Sequence, residues 1–278
     1  MKKWGVLFVV AASIVLGFTH KNDSKIEIKN SLDTPNWSIQ SKIMTLEDVY
    51  QGNLLLVNQK HPVQPESVQT DIVNLLADNL NQDFLLMDSS VRLSKDLTEK
   101  FSEMIQAAKS DGIDDFIINS GYRNLEEQSQ LFQKMGAVYA LPAGHSEHNL
   151  GLSLDIGSTE MKMSDAPEGK WIEEHAWKYG FVLRYPADKT EITGIQYEPW
   201  HIRYVGLPHS AIMKEKNFVL EEYLDYLKKE RNLTAQVNNK KYFISYYPIS
   251  EETTIQVPED RHYEISGNNM DGIIVTSY

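Results

Sequence analysis

Apolar positions recur along this chain in three spacings, and each spacing predicts a different kind of element. Between Leu93 and Asp111 they fall at Leu97, Phe101, Met104, Ile105 and Ala108, the three- and four-residue steps of a helix that buries one face. Asn124 to Met135 repeats the helical step with Leu125, Gln128, Leu131 and Phe132 in register, and Ala211 to Glu230 reads as a charged amphipathic helix. Short continuous apolar runs, Leu54 to Val57 and Asp115 to Asn119, predict buried strands instead. The second run ends at Ser120-Gly121, which puts Arg123 at a strand-to-helix junction. Strict alternation of apolar with small or polar residues from Leu150 to Ile156 predicts a further strand with Asp155 near its end. A helix through Ala176 and Trp177 closes at Gly180, and Tyr197 to Val205 is extended again.

The two ends of the chain follow other patterns. Lys2 and Lys3 precede an apolar run from Trp4 to Phe18, the layout of a signal sequence. Thr19-His20-Lys21 offers no small-x-small cleavage pattern, so residues 1–19 are expected to remain as an uncleaved anchor. The basic residues would keep the N-terminus cytoplasmic, making a single-pass protein of the cell membrane with its folded part extracellular. Residues 20–44 are polar, rich in Ser, Asn, Lys and Asp and without periodicity, as expected of a stalk. Thr45 with Asp48 three residues on resembles a capping box, so the folded domain is expected to open at residue 45 and run to 230. Beyond Arg231 the pattern changes to short strands, Tyr242 to Tyr247 and Gly272 to Val275, with a hairpin turn at Asn238-Asn239. Residues 231–278 are therefore expected to form a short β-rich C-terminal extension that shields the core or helps dock a substrate.

Composition narrows the function classes. With 278 residues, 41% hydrophobic and 24% charged, the chain suffices for one packed catalytic domain and small additions. A formal net charge of -12 repels nucleic-acid phosphates, which argues against a nucleic-acid partner. The absence of cysteine removes disulfides, thiolate metal ligands, thiol nucleophiles and a lipid anchor on an N-terminal cysteine. No Ser-x-x-Lys, Gly-x-Ser-x-Gly, Gly-x-Gly-x-x-Gly or Walker loop occurs, so covalent acyl transfer and nucleotide chemistry lack apparatus. A metal is the remaining activator of a hydrolytic water. Candidate ligands lie in two clusters, His145-Ser146-Glu147-His148 with Asp155 seven residues later, and Glu198-Pro199-Trp200-His201. Catalytic zinc takes three protein ligands of His or carboxylate type and leaves one position open, so two histidines and one aspartate suffice, with a second carboxylate free as base. Spacing alone does not choose between His145 and His148, or between Glu147 and Glu198.

Four strings taken in order carry a resemblance that does choose. Ser120-Gly-Tyr-Arg123, Ser146-Glu-His-Asn-Leu-Gly-Leu-Ser-Leu-Asp155, the stretch from Trp177 to Pro186, and Glu198-Pro-Trp-His-Ile-Arg-Tyr-Val-Gly206 resemble the D-alanyl-D-alanine carboxypeptidase family of zinc peptidases. The likeness runs from about Tyr50 to Val219 and is strongest to the VanY type found in glycopeptide-resistance clusters; Ser153 stands where the family more often has Ala. It implies an α+β fold, a small antiparallel sheet with helices packed around it and a zinc site on the sheet face. It implies that His148, Asp155 and His201 hold Zn2+, and that Glu198 is general base and then proton donor to the leaving amine. Arg123 would polarise the scissile carbonyl or hold the terminal carboxylate, and Ser120, Gln128, Ser146 and Trp200 would contact substrate. The implied partners are peptidoglycan precursor peptides ending in D-Ala, with the membrane engaged through the N-terminal segment. The implied reaction is hydrolysis of the C-terminal D-Ala of pentapeptide precursors, contributing to vancomycin resistance. L,D-carboxypeptidase action on tetrapeptides is the rival reaction, and a non-catalytic wall-binding module the rival class. His145 is expected to be a loop residue at the rim, and His175 and His209 to be surface or packing residues.

Overall fold

The computed structural model describes residues 26–30, 37–137 and 140–278. The expected anchor over residues 1–19 lies outside them, and no helix among the described residues is long and apolar enough to cross a membrane. The chain begins with strands β1 (Ile26–Asn30) and β2 (Ile39–Met44), then β3 (Ile72–Asn74), β4 (Leu85–Leu86) and β5 (Arg92–Ser94). Next come α1 (Lys95–Ser110), β6 (Phe116–Ser120), α2 (Leu125–Met135), β7 (Ser153–Ser158), α3 (Pro167–His175) and β8 (Phe181–Leu183). They are followed by α4 (Thr190–Thr193), β9 (His201–Tyr204), α5 (His209–Lys216) and α6 (Leu220–Glu230). The chain ends in β10 (Asn232–Val237), β11 (Lys240–Pro248), β12 (Thr253–Pro258), β13 (Tyr263–Gly267) and β14 (Gly272–Ser277). The class is α+β, as expected.

Two five-stranded sheets organise these elements, one ordered β4-β6-β7-β9-β8 and the other β1-β10-β11-β14-β13. The first is antiparallel except where β4 runs parallel to β6. Its core forms where the predicted stripe of α1, Leu97, Phe101, Met104, Ile105 and Ala108, meets Phe116, Ile118, Leu154, Ile156, Phe181 and Ile202 from the strands. The Ser94 hydroxyl starts α1 by accepting from the Leu97 N–H, satisfying one of the donors a helix N-terminus leaves free. Asn124 and Glu127 cap α2 reciprocally, each side chain accepting the other's backbone N–H at 2.8 Å.

Three expectations need correction. The stretch 20–44, read as a polar stalk, contributes β1, paired along its length with β10, and β2, paired with β12. Its residues are mostly polar because β2 is exposed except at Met44, so apolar periodicity could not reveal it. Residues 231–278 form the expected β-rich extension, and it is built into a core: Leu233, Ala235, Ile244 and Ile274 share a buried cluster with Ile212, Leu220, Tyr223 and Leu224 of α5 and α6. Leu54 to Val57 is buried but joins no strand ladder; Leu56 donates to the Asn268 carbonyl, and the Leu56 carbonyl accepts from the Asn269 side chain. The segment from Ala211 to Glu230 is two helices, broken where Asn217 adopts a left-handed conformation with φ of 52°.

Candidate metal centre

Three adjacent strands supply the floor of the site. Asp155 of β7 stands in register with Ser120 of β6 on one side and His201 of β9 on the other. His148 arrives from a single 3-10 turn, Glu147–Asn149, that leads into β7 and starts where the Ser146 hydroxyl accepts the His148 N–H. The Glu198-Pro199-Trp200 turn is pinned from both sides, since Glu198 N–H donates to the Tyr185 carbonyl and Ile156 N–H to the Trp200 carbonyl, each at 3.0 Å.

His148 Nε2 lies 3.2 Å from Asp155 Oδ2, and His201 Nδ1 lies 3.1 Å from Asp155 Oδ1. One ligand atom from each of the three falls within 4.8 Å of the other two. The two rings stand edge to face with centroids 5.0 Å apart. His148 Nδ1 donates to the Gly121 carbonyl at 2.7 Å, which leaves its Nε2 lone pair for the cluster. Two imidazoles and a carboxylate, converging with their free lone pairs in a site where both histidines are buried, form a donor set that suits zinc. Metal-site residues His148, Asp155 and His201 are thus brought together as expected, while His145 is tied by Nδ1 to the Asn58 carbonyl, outside the cluster.

Burial and the Arg123 charge hold His148 below its ordinary pKa, against the pull of Asp155. Burial also opposes charge on His201, yet its hydrogen bonds to Asp155 and Glu147 outweigh it and raise the metal-free ring to about 9, so a bound cation must displace a proton to take up the Nδ1 lone pair. Asp155 is desolvated, but both histidines keep it far below the carboxylate range. Glu198 sits at the open side, Oε2 3.9 Å from His201 Nδ1 with about a quarter of its side chain exposed. Burial first, then the Asp155 and Glu147 charges, raise its pKa against His201 and Arg123, the direction a general base requires.

Arg123 faces Asp155 from across the cluster, with Nη1 4.0 Å from Oδ2. Its guanidinium is held by Gln128 Oε1 at 2.9 Å, by the Ser120 hydroxyl and, at 3.5 Å, by the Ser146 hydroxyl. Three of the four residues expected to touch substrate therefore form a clamp on Arg123, and Gln128 is 1% exposed, with its amide donating to the Leu141 carbonyl. Trp200, the fourth, is 40% exposed. Tyr185 packs its ring 4.9 Å from that of His201.

Sequence reasoning missed a buried group behind His201. Glu147 is fully buried, and Arg184 and Arg203, also fully buried, bind its Oε1 at 2.8 and 2.7 Å. Burial would neutralise this carboxyl, but the two guanidiniums hold it well below the usual range. The only signal in the sequence was the pair of arginines within the family-like strings, which nothing in their spacing ties to Glu147.

Comparison with known proteins follows the same residues. The family model VanY, D-alanyl-D-alanine carboxypeptidase, matches residues 90–207, a span that holds every residue of the site. A D-alanyl-D-alanine carboxypeptidase of Enterococcus faecium is 58% identical over all of this chain and 97% of its own length. The vancomycin-resistance D,D-dipeptidase VanXYg, solved with a D-Ala-D-Ala phosphinate analogue, superposes with a TM-score of 0.76 at 32% identity, over 86% of this chain and 99% of its own. A variant of the D,D-pentapeptidase VanY from the VanB-type resistance cassette, solved with Zn(II), gives a TM-score of 0.52 at 29% identity over 62% of this chain and 98% of its own.

Proposed function

Because the chain belongs to the VanY family of D-alanyl-D-alanine carboxypeptidases, we propose that it removes the C-terminal D-Ala from peptidoglycan pentapeptide precursors with zinc as its metal, lowering the supply of the terminus that glycopeptide antibiotics bind. The observation that carries this reading is the convergence of His148, Asp155 and His201 with Glu198 on one side and Arg123 on the other.

When bound, zinc supplies Lewis acidity, which acidifies water and polarises a carbonyl. Glu198 takes the proton of the attacking water and passes it to the amine of the departing D-Ala, so one carboxylate serves both half-steps. Arg123, fixed by its three partners, sets a positive charge where the scissile carbonyl oxygen gains negative charge or where the terminal carboxylate rests. Trp200 lines the opening.

We further propose that the apolar run from Trp4 to Phe18 anchors the chain in the cell membrane with the peptidase outside, consistent with precursors displayed there. Protease accessibility of intact cells tests that placement, and a domain protected until lysis rejects it.

The reaction is tested with Glu198→Gln. Zinc content by elemental analysis is expected to stay at the wild-type level while D-Ala release from a pentapeptide falls about a hundred- to ten-thousand-fold; a near-wild-type rate rejects the mechanism. Offering the wild-type enzyme a tetrapeptide beside the pentapeptide separates D,D- from L,D-carboxypeptidase action, and no release from either leaves a wall-binding module.

A further inference from the structure

Glu147 neighbours a metal-site histidine in sequence yet serves the other one in space. Its Oε2 lies 3.3 Å from His201 Nε2 and accepts the Ser153 hydroxyl at 3.1 Å, while its Oε1 takes Arg184 and Arg203. The two oxygens thus face different partners. Resting on the zinc reading above, we propose that Glu147 is a positioning residue: by accepting the Nε2–H of His201 it keeps the proton on that nitrogen and leaves the Nδ1 lone pair turned toward Asp155, where a metal is held.

The surroundings fit this task. A carboxylate without solvent contact would take up a proton unless cations compensate it, and a protonated carboxyl could donate to the imidazole rather than accept from it. Arg184 and Arg203 prevent that, and each is itself fixed elsewhere. Arg203 Nη2 donates to the carbonyls of Asn53 and Leu55 at 3.0 and 2.9 Å. Arg184 reaches Glu221 of α6 through two parallel hydrogen bonds of 2.8 Å. The acceptor behind His201 is therefore braced by five separate segments of chain, those of Ser153, Arg184, Arg203, Asn53 to Leu55 and Glu221. His148 has a matching device in the Gly121 carbonyl behind its Nδ1. Both imidazoles carry an acceptor on the nitrogen remote from the cluster, an arrangement that orients metal-binding histidines and whose loss costs about ten- to a hundredfold in metal affinity.

Glu147→Gln separates orientation from packing, because it preserves shape. Its carbonyl oxygen can stay beneath the two guanidiniums, which presents the amide NH2 to His201 Nε2. A donor in that place favours the tautomer with the proton on Nδ1, the nitrogen the metal needs. Zinc affinity of the full-length protein, read by competition with a chromophoric chelator, is expected to fall about ten- to a hundredfold. Nitrogen-15 histidine spectra of the zinc-loaded wild-type protein are expected to show His201 protonated at Nε2 and metal-bound at Nδ1. A variant with wild-type zinc affinity overturns the proposal. So does a wild-type spectrum with His201 bound through Nε2, a measurement that decides the matter even if the variant fails to accumulate. A wild-type chain that binds no zinc removes the metal reading and this proposal together, whereas zinc binding unchanged by Glu147→Gln removes this one alone.

Discussion

Arg123 is held in place before any substrate arrives, by Ser120, Gln128 and Ser146. Such a guanidinium stabilises developing charge without first being reorganised. Lysine keeps the charge but has no planar fork to satisfy several partners at fixed angles. Arg123→Lys is therefore expected to lower kcat for D-Ala release by about a hundred- to a thousandfold while zinc content stays at the wild-type level; a loss below tenfold would remove Arg123 from the reacting centre. The sequence named all four residues of this group and assigned three of them a different partner. Residue type and order gave the neighbourhood of Gln128, but only its burial against Arg123 and the Leu141 carbonyl gives its direction. Glu147 and Glu198 show the same limit: identical side chains beside metal-site histidines, one sealed between two arginines and the other a quarter open to the cleft.

Elements succeed or fail by how local their causes are. The stripe of α1 and the helix α2 depend on residues within a few positions of one another, and both appear where the spacing put them. Leu54 to Val57 was misread because a short apolar run looks alike in a buried strand and a buried loop. The break at Asn217 was hidden because the apolar spacing continues on both sides of it. Gly121, at the end of β6, shows how an element positions the chemistry. A Cβ there would lie 2.1 Å from the Arg92 carbonyl oxygen, so the strand end must shift to accept any side chain, and the carbonyl that orients His148 shifts with it. Gly121→Ala is expected to cost about 1–3 kcal/mol of stability, seen in urea unfolding, together with weaker zinc binding. A variant that loses stability but binds zinc as tightly as the wild type would uncouple the two.

At the scale of the molecule, His209 of α5 ties α6 to the C-terminal sheet. Its Nδ1 meets the Tyr223 hydroxyl of α6 at 2.7 Å and its Nε2 the Thr276 hydroxyl of β14 at 2.9 Å, which fits the expected packing role. Burial lowers its pKa to about 3. The unfolded chain protonates this histidine near 6.5 while the folded chain does not until about 3, so unfolding takes up a proton anywhere between. The contribution of neutral His209 is complete above pH 6.5 and is lost as pH falls toward 3, with a slope of about 1.4 kcal/mol per pH unit. Urea unfolding from pH 7 to pH 4 is expected to show His209→Gln losing stability less steeply than the wild type; parallel curves would mean that the folded protein already protonates this ring. The reach of these contacts explains why the whole was less legible than its parts. Nothing in the polar stretch before residue 45 announces a partner near the other end of the chain.

That pairing also dictates an order of assembly. β1 sets Ile26 against Val237, and β2 sets Ile39 against Pro258, so each ladder closes a loop of more than two hundred residues. Closing such loops is slow, because the entropy of the intervening chain is lost before the contacts reward it. The strands that floor the metal site, β6, β7 and β9, lie between Phe116 and Tyr204 and pair over much shorter separations. The sheet that floors the site is therefore expected to gather early in folding, and the two N-terminal strands to be stitched to the C-terminal ones last.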